Sequence, residues 1–87
     1  MIEKENKIIY EKEGEEIGVV EYENIDESTI DIYHTYVDQD YQGRHIASDL
    51  MEHLFQKLKK ENKKATASCS YAKHWMDKHP EYHDQFM

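Results

Sequence analysis

Apolar and polar positions alternate along the first forty residues and then change to a spacing of three and four. In Lys7–Lys12, the run Ile8, Ile9, Tyr10 predicts a first strand. Glu13–Glu16 predicts a turn, because Gly14 can take a positive φ. In Ile17–Glu23, Ile17, Val19 and Glu21 alternate with Gly18, Val20 and Tyr22, which predicts a second strand. After a turn at Asn24–Ser28 comes the most regular alternation, Thr29–Val37. It places Ile30, Ile32, His34 and Tyr36 on one face and Asp31, Tyr33 and Thr35 on the other. Three strands joined by short turns predict an antiparallel meander.

Asp38–Tyr41 is a polar loop. From about Gly43 to Asn62 the apolar residues Ile46, Ala47, Leu50, Met51, Leu54, Phe55 and Leu58 form one helical stripe. Lys57, Lys59 and Lys60 near its end complement the helix dipole. Lys63–Ser70 predicts a fourth strand with Ala65, Ala67 and Cys69 on one face. A strand–helix–strand crossover makes it parallel to the third. A short helix follows over Tyr71–Lys78, and Pro80 stops it. Trp75, Tyr71, Tyr82 and Phe86 are expected to pack this end onto the sheet. The expected fold class is α+β: a three-stranded antiparallel meander, a crossover helix, one strand parallel to the third and a short C-terminal helix.

Eighty-seven residues suit one domain, 1–87, with no room for a second core. No apolar run approaches the roughly 18 residues of a membrane span, and the N-terminus lacks a signal peptide's basic and apolar regions. One cysteine excludes an internal disulfide, which fits a reducing cytoplasm. The net charge of −8 is uneven. Residues 1–41 hold 3 Lys/Arg against 13 Asp/Glu, whereas residues 42–64 hold 6 against 3. An acidic chain with no dominant basic face makes a poor nucleic-acid binder. The acidic half could steer a cationic substrate or simply keep the surface soluble. Membrane and nucleic-acid partners are not expected, and a monomer is the expected state.

The run Tyr41-Gln42-Gly43-Arg44-His45-Ile46-Ala47 joins the third strand to the long helix, inside the one positive segment. The first amides of a helix have no internal acceptor, and the dipole adds about half a positive charge there. Phosphates bind at such places, although most strand-to-helix loops only connect. Gln42-x-x-His45-x-Ala47 resembles motif A of the GNAT acetyltransferase superfamily, the loop that wraps the pyrophosphate of acetyl-coenzyme A. Together with His34–Val37, Cys69-Ser70-Tyr71 and His79-Pro80-Glu81-Tyr82, it resembles a subfamily of very short GNAT-like domains, over residues 8 to 83. One departure is His45, where the superfamily pattern has glycine, so a side chain must leave room for the pyrophosphate.

The resemblance implies a sheet that splays between Thr29–Val37 and Lys63–Ser70, with the pantetheine arm of acetyl-CoA in the split. It assigns the backbones of Tyr36 and Val37 to that arm and Gln42, Gly43, Arg44, His45, Ile46 and Ala47 to the pyrophosphate. Ser48 is placed to add a hydroxyl, and Tyr71 belongs to the same cofactor-binding set. It puts Cys69 at the mouth of the split, near the thioester. Three roles stay open there: acetyl acceptor, pocket lining, or a small buried apolar residue. His34 and Tyr36 are candidates for base or acid, His34 having the pKa suited to take a proton from an ammonium. The catalytic candidates are therefore Cys69 and His34. No metal is expected: His79 and His83 are four apart, but Pro80 falls between them and no compact ligand set is visible. The function implied is N-acetyl transfer from acetyl-CoA to an unidentified amine. The alternative is a non-catalytic module that senses acyl-CoA or joins a partner protein.

Overall fold

The computed structural model describes residues 1–87. Five strands form one sheet in sequence order: β1 (Ile2–Glu3), β2 (Lys7–Lys12), β3 (Glu15–Asp26), β4 (Thr29–Val37) and β5 (Lys64–Ala67). The first four pair antiparallel and β5 lies parallel to β4. Helix α1 (Ile46–Glu61) makes the crossover, and α2 (Ser70–Asp77) follows β5. The expected α+β class and the parallel fourth pairing are what the structure has. Strand β1, which alternation over two residues cannot announce, adds to the expected meander. Its Glu3 is tied to α1 by His53 Nε2 at 2.9 Å and Lys57 Nζ at 3.1 Å.

One face of the sheet carries the core. Ile8, Val20, Tyr22, Ile30 and Ile32 meet the α1 stripe Ile46, Leu50, Met51, Leu54, Phe55 and Leu58, all buried. Gly18 lies where β3 comes closest to α1. A Cβ there would stand 3.0 Å from Ile46 Cγ2 and 3.2 Å from Leu50 Cδ1. Beyond α1, Phe55 packs against Trp75, Tyr82 and Phe86, with ring centroids 5.4 to 5.6 Å apart. The chain end closes the free edge of β5: Ala65 and Phe86 form a parallel bridge. No helix is long and apolar enough to cross a membrane.

Two of the three register breaks in the sheet correct the simple alternation. In β3, Tyr10 faces Gly18 while Glu11 faces Glu16, so Ile17 is an extra residue. It turns into the core, away from the face of Val19 on which alternation had put it. In β4, Glu21 faces His34 while Tyr22 faces Ile32, so Tyr33 is extra. The side-chain parity of the strand flips there. Opposed residues share a face. Thr35 (opposite Val20) and Val37 (opposite Gly18) therefore join Ile30 and Ile32 on the α1 side. His34 and Tyr36 lie on the helix-free face, and the expectation that they share a face with Ile30 and Ile32 is overturned.

Candidate active site

The β4–β5 ladder ends at Ile32 and Ala67. The N–H groups of Ser68 and Cys69 both donate to the Ile32 carbonyl, at 3.0 and 3.1 Å. After that point the chain turns into α2, and the edge of β4 from Tyr33 to Val37 faces no fifth strand. This is the split in the sheet. Cys69 is the residue before α2, half-buried, with its Sγ 3.6 Å from Thr35 Oγ1. Burial by itself pushes the thiol up. The Ala72 N–H, the Thr35 hydroxyl and the Tyr71 and Thr35 backbones act the other way and bring it below its ordinary value. The bulge at Tyr33 creates this contact, because it turns Thr35 toward the α1 side.

The loop from β4 to α1 is not helical at Gly43, as the apolar stripe had suggested. Asp38 starts a single 3₁₀ turn, Gln39–Tyr41, by accepting from the Asp40 N–H at 2.9 Å. The chain then passes through two left-handed residues, Gly43 at φ 82° and His45 at φ 62°. Helix α1 begins only at Ile46, and its first internal bond runs from Asp49 N–H to the His45 carbonyl. The six consecutive N–H groups from Gly43 to Ser48 have no acceptor anywhere in the chain. Left-handed turns and a free helix start bring such groups round a common concavity, the geometry of an anion nest.

That concavity is an open depression of ≈ 400 Å³ lined by Val37, Tyr41, Gln42, Gly43, His45, Ile46, Ala47, Ser48 and Tyr71. Most of the residues expected to hold a cofactor meet here. Gln42 turns its side chain back, its Nε2 donating to the Val37 carbonyl at 3.3 Å. Ser48 is held in place by Trp75, whose Nε1 donates to its hydroxyl at 2.9 Å. Arg44 does not line the depression; its guanidinium lies over the Tyr41 ring, 5.4 Å from the centroid. Lys12 Nζ is 5.5 Å from the same centroid. Lys12 is a second cation at the loop that sequence reasoning missed. The meander register could have found it, since Tyr10, Gly18 and Val37 stand side by side and put the end of β2 beside the loop. A larger groove of ≈ 500 Å³ runs along α1, but apart from Met1 its lining, from Glu3 to Glu61, is charged and polar.

The other expected residues lie apart. Tyr36 is 53% exposed, so it can meet a ligand in the split only through its backbone. His34 sits on the helix-free face, its Nε2 4.0 Å from Glu21. The side chain of β4 that approaches Cys69 is Thr35. Also on the helix-free face is Asp31, a carboxylate only 8% exposed. It accepts from the Thr66 and Ser68 hydroxyls, each at 2.6 Å. Its partner Ser68 is the residue before Cys69. Alternation placed Asp31 only on the strand face opposite Ile30 and Ile32; the parallel register with Thr66 is what gives it partners.

A mixed sheet that splits beside a helix start with unused amides defines an acetyltransferase-type fold of the GNAT class. The family model described as GCN5-related N-acetyl-transferase matches residues 7–85, and the chain belongs to that family. It is similar to Protein NATD1 of Danio rerio, 31% identical over 70 residues. That match takes in 80% of this chain, which spans 62% of the length of the relative. It is also similar to a GCN5-like protein from Staphylococcus aureus solved by NMR in solution. The two share 29% identity and a TM-score of 0.81 over 99% of this chain and 85% of the other.

Proposed function

We propose that the depression at Gly43–Ser48 binds the pyrophosphate of acetyl-CoA and that the chain transfers the acetyl group to an amine. The observation that carries this reading is the row of six unused N–H groups, with Lys12 and Arg44 beside it. Acetyl-CoA would supply an acetyl thioester. Val37 and the free edge of β4 are suited to hold the pantetheine amides, and a thioester in the split would lie toward Cys69. The amine would attack the thioester directly. Cys69 then lines the pocket, since direct transfer needs no acetyl acceptor on the protein. His34 faces the wrong way to reach Cys69. It remains a candidate to take the amine proton only if the acceptor approaches over the helix-free face, where Asp31 and Glu21 would attract a cation.

A rival reading, an acyl-CoA-binding module without turnover, draws on that same face: no helix covers it to wall off an acceptor site. Titration of the chain with acetyl-CoA, followed by amide NMR, tests binding. Shifts should cluster over residues 36–48 and around Cys69 and Tyr71. Shifts confined to β1–β3 would reject the site. Release of free CoA with candidate amines then separates transfer from binding alone.

A further inference from the structure

We propose that Glu52, His79 and Glu81 form a binding site for one divalent transition-metal ion, with Zn²⁺ as the probe. The tail motif His79-Pro80-Glu81-Tyr82 has no part in the acetyl-CoA reading, yet its side chains converge on one residue of α1. One ligand atom from each of Glu52, His79 and Glu81 lies within 4.8 Å of the other two. His79 Nδ1 and a Glu81 carboxylate oxygen are already 2.8 Å apart. Zinc takes imidazole nitrogen at about 2.0–2.1 Å and carboxylate oxygen at about 2.0–2.2 Å. Its donors therefore stand some 3–3.5 Å from one another. The observed spacings, from 2.8 Å up to at most 4.8 Å, bracket that value.

Two of the three ligands, His79 and Glu52, are also held from behind. The His79 ring stacks on Trp75 with centroids 3.9 Å apart. Trp75 is itself 4% exposed and fixed by Ser48. Glu52 accepts from the hydroxyl of Tyr82, which is buried and also receives Gln56 Nε2 at 3.4 Å. Pro80 restricts the backbone between the two tail ligands. Such support is what orients the ligands of a working metal site. Charge points the same way: two carboxylates and an imidazole suit a divalent cation. No Lys or Arg comes within 4.0 Å of either carboxylate to compete. Three protein ligands leave the fourth position to water. The bound ion would staple the tail after α2 to the middle of α1.

Spacing in the sequence could not show this set, because Glu52 lies far upstream of the tail. His83, the obvious partner of His79 by spacing, instead turns toward Phe86, ring centroids 6.2 Å apart.

The test is a titration of the full chain with Zn²⁺ near neutral pH, by calorimetry and by NMR of the six histidine rings. One equivalent should bind, and the His79 ring should move before the other five. Glu52→Gln and Glu81→Gln should each weaken binding by about tenfold or more, and Tyr82→Phe by about tenfold through the support of Glu52. His83→Ala should bind as the parent does. Glu81 is exposed, so its variant keeps the fold and the test stands even if Glu52→Gln unfolds. If all six rings shift together at similar Zn²⁺, or Glu81→Gln binds as tightly as the parent, the cluster is only an ion pair beside a hydrogen bond and the site is rejected.

Discussion

His45 occupies a position where the backbone needs a glycine and the chain supplies a side chain. Its φ of 62° and ψ of 20° lie in the left-handed region, which favours glycine. An L-residue in that region costs about 1–2 kcal/mol. Glycine would return that energy but adds freedom to the unfolded chain, about 0.4–1 kcal/mol. His45→Gly should therefore be neutral or stabilising within about 1 kcal/mol in thermal or urea melts, with acetyl-CoA affinity retained. A loss well beyond that would mean the imidazole contributes contacts of its own. A second residue-scale outcome concerns Thr35→Val. It removes one donor to the Cys69 sulfur while leaving burial, so the thiol should rise toward its ordinary value. The pH profile of Cys69 alkylation by iodoacetamide should move to higher pH. An unmoved profile would show that the backbone donors alone hold the thiol down. The position of the glycine pattern could be read from the residues. The partner of Cys69 could not, because it depends on the parity of β4.

At the scale of elements, what was legible followed from period. An apolar run located β2, alternation located β3 and β4, and the three-and-four spacing located α1, whose stripe is its buried face. The bulges at Ile17 and Tyr33 were not legible, since an extra residue in a strand leaves no mark in composition. Their effect is functional: the flip at Tyr33 moves His34 and Tyr36 off the core face and gives Thr35 to the split. The start of α1 was misread by three residues for a related reason. Gly43 to His45 continue a polar stretch, and only their dihedral angles separate loop from helix. Gly18 shows how closely the sheet must approach that helix. Gly18→Ala brings a methyl group to 3.0 Å from Ile46 and 3.3 Å from the Tyr36 carbonyl. Ile46 is the first residue of α1 and lines the depression, so the methyl would press on the loop as well as the core. The variant should lose about 1–3 kcal/mol in denaturant unfolding, as overpacked sites do. It should also weaken acetyl-CoA, whereas loss of stability with unchanged affinity would show that β3 and the loop move independently.

Over the whole molecule, the ionisable groups predict where the fold is stable in pH. On the acid side, the hydrogen bonds from His53 and Lys57 hold the Glu3 carboxyl below its ordinary value. A depressed carboxyl contributes stability above its unfolded pKa and loses it as the pH falls through the folded one. Glu3 is largely exposed, so solvent screening keeps that contribution within about 1 kcal/mol. On the alkaline side, burial raises the phenols of Tyr22, Tyr71 and Tyr82. A raised phenol contributes stability that is whole below the unfolded pKa and lost as the pH rises through the folded one. Tyr82 should matter most. It is 5% exposed, and its hydroxyl donates to Glu52, so ionisation would set a phenolate against a carboxylate. Thermal melts across pH should therefore show a plateau near neutrality, a shallow decline on the acid side and a steeper one above the ordinary tyrosine pKa of about 10. Glu3→Gln should make the acid limb shallower without removing it, because Ser28 and His79 also hold the Asp26 and Glu81 carboxyls down, and should leave the alkaline limb alone. Tyr82→Phe should lower the plateau by about 1 kcal/mol through the lost hydrogen bond and make the alkaline limb shallower. Parallel curves for Tyr82→Phe and the parent would show that the alkaline limb belongs to Tyr22 and Tyr71 instead. In that event the tail is held to α1 by its aromatic packing on Phe55 and not by the Tyr82–Glu52 bond.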